Sequence, residues 1–221
     1  MVNYCQDVRD FHDKFALVTP PHFTKLEQGL FEFRVKFFHE ELEEYVDAYM
    51  RQDLATAIDS LIDLVYITCG CALLHGIDVP EFNKLVEAGT PEEMLFSSQE
   101  ADKFTGLKPH LLTPENHQIF HRVLRKNIDD YILAFISNHE VGVKNALVSL
   151  YQNCLYGAYR MGFTLIQWNE LWTDVQRANM AKERVLNAAD SKRGSTWDVR
   201  KPAGWIPPRT EELVQKYLGA A

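Results

Sequence analysis

An excess of positive charge is the first property that this sequence lacks. Its 221 residues contain 23 Lys and Arg against 31 Asp and Glu, which gives a formal net charge of −8 at pH 7. This balance excludes binding to nucleic-acid polymers through bulk positive charge, because such binding depends on Lys and Arg neutralising many phosphates. Hydrophobic residues at 46% and charged residues at 24% are ordinary values for a folded protein, so disorder and a fibrous repeat are not expected.

Cysteine is scarce, and long apolar runs are missing. The four cysteines are Cys5, Cys69, Cys71 and Cys154. They form no CxxC pair, which predicts reduced side chains in a core rather than a zinc site or a disulfide framework. The longest apolar segment, 61–74, is interrupted by Asp63 and is too short to span a membrane. Charges near the start also interrupt any signal peptide. We therefore expect a cytoplasmic protein without a membrane partner.

Familiar catalytic motifs are absent too. The sequence has no Walker A loop, no GxSxG nucleophile motif and no Rossmann fingerprint. The four histidines before residue 80 show no metal-ligand spacing, and we interpret them as structural or solvent-exposed; they are His12, His22, His39 and His75.

Helical periodicity dominates what is present. Apolar residues recur at steps of three and four, which predicts helices at about 24–51, 53–74, 114–139, 141–161 and 167–189. Asp53 is a candidate N-cap, and His75 and Gly76 stop the second helix. Because only a few residues connect the first two helices, these should lie antiparallel.

The remaining segments favour loops rather than strands. Gly, Pro and Ser are enriched in 89–114, and Gly and Pro in the tail, 192–208. No segment favours a sheet, so we predict an all-α fold, a helical bundle in one compact domain. Its parts are the N-terminal helices and first hairpin (1–80), a linker and second hairpin (81–165), and a C-terminal helix with the tail (166–221).

The two predicted hairpins are similar to each other. The glycines that end their long helices, Gly76 and Gly162, lie 86 positions apart, and the same offset aligns the preceding residues without gaps, with Tyr45 on Tyr131. We interpret this as an internal duplication. Chance similarity between two amphipathic hairpins is the alternative, because one apolar position of the first hairpin falls on a lysine in the second.

Acidic residues are concentrated in the first hairpin. The offset pairs Glu40 with Lys126, Glu41 with Asn127, Glu44 with Asp130, Asp59 with Asn145 and Asp63 with Ser149. In the first hairpin the three glutamates share one helix face, and the two aspartates, four residues apart, share a face of the next helix. Because the helices are antiparallel neighbours, we expect the two acidic faces to oppose each other.

Such a cluster needs a cation. Each close pair of carboxylates would repel by about 1 kcal/mol or more even at a surface-like dielectric. Ligands that are all oxygen favour Mg²⁺, with Mn²⁺ as a substitute. The alternative is a solvated acidic face, but Asp63 stands between Ile62 and Leu64, where an acid without a partner is costly.

These acids belong to an ordered set of motifs. The set comprises Glu40-Glu41-Leu42-Glu43-Glu44, residues 59–66 and 76–78 in the first hairpin, and residues 175–182 and 201–208 in the last third. It resembles the all-α nucleoside triphosphate pyrophosphohydrolases, a superfamily that includes the MazG-like enzymes, the phosphoribosyl-ATP pyrophosphohydrolases and the dimeric dUTPases. One departure is Ser60, where many members carry Glu; Asp59 beside it is the candidate replacement.

The resemblance implies Mg²⁺-dependent hydrolysis of a nucleoside triphosphate to a monophosphate and diphosphate, for control of the nucleotide pool. It implies Glu41, Glu44, Asp59 and Asp63 as metal ligands. Glu40 would then orient or deprotonate the attacking water beside the ligand Glu41, and these two glutamates are the candidate catalytic residues. The family also implies a homo-oligomer, a dimer or a tetramer.

The last third would bind the nucleotide. Asn179 and Lys182 would contact phosphate oxygens, Lys201 a further phosphate, and Trp205 the base. The alternatives are ordinary helix-surface residues and a tail that only packs on the bundle. Two other functions stay open: hydrolysis of phosphoribosyl-ATP, and a non-catalytic helical module that binds a nucleotide or another protein.

Overall fold

Helices form almost all of the regular structure in this computed structural model, which describes residues 2–89 and 114–219. The helices of these residues are α1 Tyr4–Lys14, α2 Gln28–Met50, α3 Leu54–Leu74, α4 Val79–Gly89, α5 Pro114–Ile136, α6 Glu140–Arg160, α7 Leu165–Met180 and α8 Thr210–Leu218. The prediction of an all-α fold is confirmed. The predicted loop at 89–114 lies, apart from its ends, outside the described residues.

The last predicted helix ends earlier than expected. Helix α7 stops at Met180, because the chain then turns into a short antiparallel ribbon in which β1, Glu183–Arg184, pairs with β2, Val199–Arg200. The expectation of no sheet is therefore wrong at this place, since strands of two residues are too short to produce an alternating pattern. Helix α8 also lies beyond the segments in which helix was predicted.

Helix α3 lies at the centre of the fold. It packs against α1, α2, α6 and α8. By length and composition it is apolar enough to cross a membrane, but 89% of its most apolar window is buried inside the protein, as in the core helix of a globular bundle. All four cysteines are buried and free, which confirms that prediction. Asp53 caps α3 by accepting from the Thr56 backbone amide, also as predicted.

The two hairpins also correspond in backbone structure at the offset of 86 residues. It relates both ends of α2 to those of α5, and both ends of α3 to those of α6. The turn residues at equivalent positions, Gln52 and Asn138, both have positive φ, of 59° and 52°. Gly76 and Gly162, which follow α3 and α6, have φ of 77° and 93°. The two hairpins thus share helix bounds and turn conformations at one offset, and the internal duplication itself stays a prediction.

One buried hydrogen-bond chain joins the two hairpins. His75, which is fully buried, lies 2.9 Å through Nδ1 from the Thr24 carbonyl oxygen and 3.0 Å through Nε2 from the Tyr131 hydroxyl. Because the carbonyl can only accept, Nδ1 carries the proton and Nε2 accepts from Tyr131. Burial lowers the pKa of His75 to about 4, which keeps the ring neutral near pH 7.

Removing the Tyr131 hydroxyl should destabilise the protein. In Tyr131→Phe the buried Nε2 of His75 loses its donor, which costs about 1–3 kcal/mol of unfolding free energy. Urea unfolding followed by circular dichroism measures this loss. Tyr156→Phe, which removes a half-buried hydroxyl from α6, is the control and should change little. Equal stability of Tyr131→Phe and wild type would contradict the role assigned to this chain of bonds.

Candidate functional site

The acids of α2 and α3 come together as the sequence predicts. Glu41 is buried, with 9% of its surface exposed. Burial, and then the charges of Asp63, Glu44 and Asp59, raise the pKa of Glu41 to about 9. Burial and then the charge of Asp59 raise the pKa of Asp63 to about 7. These four carboxylates therefore share one electrostatic environment, while Glu44 remains the exposed member at its rim.

Asp59, rather than Ser60, belongs to this cluster. The Ser60 hydroxyl is buried and donates to the Thr56 carbonyl oxygen within α3, at 3.0 Å. Asp59 instead accepts from the Thr210 hydroxyl at the start of α8, at 2.8 Å. Burial raises the pKa of Asp59. Its position beside Asp63 is compatible with the predicted ligand role, although one of its oxygens already holds α8.

The predicted phosphate-binding residues line the same pocket as the two aspartates. This pocket has a volume of about 490 Å³. Its lining includes Asp59 and Asp63 from α3 together with Asn179, Lys182, Lys201 and Trp205 from the last third of the chain. Burial lowers the pKa of Lys182, and the charge of Asp63 opposes that shift. Residues more than a hundred positions apart in the chain thus form one site with acidic and basic walls.

Trp205 is fixed at the edge of this pocket. Its indole Nε1 donates to the Ala178 carbonyl oxygen at 2.8 Å, and the Lys201 amine lies 4.4 Å from the ring centroid. The amine of Lys182 lies 6.0 Å from the same centroid. Both lysines therefore lie within the range of a cation–π contact with the indole. The tail holds a half-buried aromatic surface next to the two cations.

Two residues that the sequence prediction did not select complete the surroundings of the acids. Arg193, from the tail, donates through Nε to Glu40 Oε2 at 2.7 Å. Thr210 is the donor to Asp59 described above. The sequence shows Arg193 only as one of several tail cations, and Thr210 only as a residue after a Pro-rich segment. No pattern along the chain indicates which cation or hydroxyl reaches α2 or α3.

The donor chemistry of the cluster fits a hard divalent cation. Its groups are all carboxylates, and the buried ones raise one another's pKa, so a cation is the natural compensation for their charge. Among residues 2–89 and 114–219, however, no group of three His, Cys, Asp or Glu side chains is arranged around a single metal position. The carboxylates thus fit a hard cation by their chemistry, and the metal site stays a prediction.

The second hairpin has a pocket at the equivalent place. That pocket has a volume of about 370 Å³, and three of its lining residues, Asp130, Asn145 and Ser149, are the counterparts of Glu44, Asp59 and Asp63. The second hairpin therefore has a pocket at this place, but only one of the three acids, Asp130, is present in it. Because the fold of a hairpin can evidently be built without the other carboxylates, their presence in the first hairpin points to a function.

Comparison with known families gives a match for the part of the chain that contains this cluster. Residues 8–88 match the model of the phosphoribosyl-ATP pyrophosphohydrolase family. This confirms, over that part of the chain, the resemblance to the all-α pyrophosphohydrolases. The matched segment contains the five acids predicted as site residues, Glu40, Glu41, Glu44, Asp59 and Asp63, but none of the pocket residues of the last third. No curated protein and no solved structure gives a significant match. Over residues 8–88, this match supports similarity to a pyrophosphohydrolase-type family.

Neutralising one buried acid should stabilise the metal-free protein at alkaline pH. The pKa of Glu41 is about 9 in the folded state against an ordinary 4.5. Between these pH values the folded protein keeps a proton that the unfolded chain has lost, so the free energy of unfolding falls as pH rises. Glu41→Gln has no such proton to lose. In EDTA at pH 8 its Tm should therefore exceed that of wild type, and the difference should vanish near pH 4.

Thermal unfolding at several pH values measures this effect. A gain of ~1 kcal/mol corresponds to about 2–4 °C in a protein of this size. Glu43→Gln, on the same helix but with an exposed side chain, is the matched control. If Glu41→Gln and Glu43→Gln shift the Tm equally at pH 8, Glu41 is not the buried, repelled group described above.

Proposed function

We propose that this protein is an Mg²⁺-dependent nucleoside triphosphate pyrophosphohydrolase, which converts a (d)NTP and water to a (d)NMP and diphosphate. The observation that carries the proposal is the pocket that Asp59 and Asp63 line together with Lys182, Lys201 and Trp205. Acidic residues alone would repel a polyphosphate. Basic and aromatic groups in the same pocket provide the contacts that phosphates and a base require.

The metal makes the acidic wall compatible with this substrate. Mg²⁺, or Mn²⁺ in its place, would be held by Glu41, Glu44, Asp59 and Asp63 and would supply neutralising charge and polarisation of phosphate oxygens. Glu40 lies next to the ligand Glu41 in the chain and would accept the proton of the attacking water.

The residues of the last third would bind and orient the substrate. The amines of Lys182 and Lys201 would hold phosphate oxygens by charge, and the Asn179 amide would donate a hydrogen bond. Trp205, fixed through its indole nitrogen, would stack on the base. Pro207 and Pro208, which also line the pocket, limit the freedom of the tail that carries this ring.

Phosphoribosyl-ATP is the second candidate substrate, because the matched family is named for it. The match ends at residue 88 and therefore does not include the pocket residues that would contact the base. A third candidate is a nucleotide-binding module without turnover. We also propose, from the family resemblance, a dimer or tetramer that acts in the cytoplasm without a nucleic-acid or membrane partner.

A substrate panel tests the activity. We expect diphosphate release from at least one common or modified (d)NTP with Mg²⁺ or Mn²⁺, measured with a coupled phosphate assay, with phosphoribosyl-ATP as a further arm. Glu41→Gln and Asp63→Asn should lose about 100-fold or more of kcat/KM, because a metal contributes several kcal/mol to such a reaction. Glu43→Gln and Ser149→Ala, which lie outside the proposed site, should keep full activity.

The panel also separates the three candidate functions. Turnover of phosphoribosyl-ATP alone would replace the proposed substrate with that of the matched family. Thermal stabilisation by a nucleotide with Mg²⁺, without any product, would favour the binding module. No turnover and no binding across the panel would refute the nucleotide assignment altogether.

The two pocket lysines should act mainly on substrate binding. Lys182→Ala and Lys201→Ala each remove one charged contact to phosphate, worth about 1.5–3 kcal/mol. We expect KM to rise about 10- to 100-fold in steady-state assays with the best substrate of the panel. Lys192→Ala, which removes an exposed tail cation outside the pocket, is the control. An unchanged KM in Lys182→Ala would show that this amine does not contact the substrate.

A further inference from the structure

Glu40 differs from the other acids of the cluster in forming a direct ion pair with a cation of the tail. Its Oε2 accepts from Arg193 Nε at 2.7 Å, and the two residues are 153 positions apart in the chain. The Glu40 side chain is 34% exposed and that of Arg193 is 17% exposed. The partly buried setting makes this ion pair stronger and more directional than a surface pair.

Arg193 is held in place by contacts that do not involve Glu40. Its guanidinium carbon lies 4.0 Å from the centroid of the Phe37 ring on α2, and Nη1 lies 3.4 Å from Asp198 Oδ1. Asp198 is itself buried and accepts from the Ser191 hydroxyl at 2.8 Å. The guanidinium therefore has a defined position before it meets Glu40.

This geometry leaves one oxygen of Glu40 for chemistry. Nε of Arg193 contacts only Oε2, and no other side chain of the described residues donates to Glu40. Fixing one carboxylate oxygen also fixes the direction of the other, which a general base needs in order to receive a proton from water. Arginine suits this task because its planar group reaches Glu40 and Asp198 through different nitrogens, whereas a lysine amine is a single point of charge.

The second hairpin lacks this arrangement. The counterpart of Glu40 is Lys126, which forms an ion pair with Asp130 on its own helix and, within residues 2–89 and 114–219, none with the tail. Among the described residues, the side-chain hydrogen bond that links the tail to a hairpin goes to the hairpin that carries the acids. A residue that served merely to fasten the tail to the bundle would not need to select a carboxylate next to a proposed metal ligand.

We propose that Arg193 is a positioning residue that orients Glu40 as the base for the attacking water. This inference rests on the function proposed above. Arg193 acts through Glu40 and contributes no contact to the substrate. Its loss should therefore slow the chemical step while leaving the affinity for nucleotide and metal in place.

A double-mutant cycle tests the coupling. With the best nucleotide of the panel and Mg²⁺, we expect Arg193→Ala to lower kcat about 10-fold and Glu40→Gln about 100-fold, with KM changed less than about 3-fold. Arg193→Ala should add less than about 2-fold in the Glu40→Gln background, because the group it orients is already lost. Arg193→Lys should recover only part of kcat. Arg200→Ala, in the same tail but paired with Glu183, is the control.

A second measurement does not depend on turnover. The rate of backbone amide hydrogen exchange in residues 191–200 should rise in Glu40→Gln as well as in Arg193→Ala, because either change breaks the same bond. In the control Arg200→Ala, residues 191–198 should stay protected from exchange. Multiplicative kcat losses in the double variant, or a raised KM with normal kcat in Arg193→Ala, would overturn the proposal. If wild type hydrolyses no nucleotide, the proposed function fails, and unchanged exchange in Glu40→Gln would separately refute the Arg193–Glu40 contact.

Discussion

Repulsion between buried carboxylates is the constraint on which the rest of the site depends. Glu41 and Asp63 come from adjacent antiparallel helices, and burial prevents water from screening their charges. The second hairpin has Asn127 and Ser149 at the positions of these two acids. The charges of Lys182 and Lys201, which line the same pocket as Asp63, relieve part of the repulsion on the α3 side. A divalent cation would relieve the remainder.

The two hairpins show which features belong to the fold and which to the site. Their helices share lengths, turn conformations and terminating glycines at one constant offset. Their charges do not follow this symmetry, since Asn127 and Ser149 stand where the first hairpin has Glu41 and Asp63. The tail adds to this difference between the hairpins. Its residue Arg193 contacts the first hairpin, and Lys201 and Trp205 line the pocket beside that hairpin. The helix lengths and turns that define a hairpin therefore do not depend on the acids of the candidate site.

Local sequence patterns were sufficient for part of this picture. The period of apolar residues and the cap at Asp53 predict α2 and α3 closely, and the three- and four-residue steps between the acids place them on one face. The ribbon of β1 and β2 could not be predicted, because its strands are too short for a pattern. The bonds of Arg193 to Glu40 and of Thr210 to Asp59 depend on the path of the tail across the bundle. That path is set by tertiary packing rather than by neighbouring residues.

The central claim is that the carboxylates of α2 and α3 bind a divalent cation, and calorimetric titration of the purified protein with Mn²⁺ alone tests it most directly. The account predicts saturable binding to wild type that is lost in Asp63→Asn and kept in Ser149→Ala, the neutral counterpart in the second hairpin. Absence of Mn²⁺ binding to wild type, or equal binding to Asp63→Asn, would contradict the account.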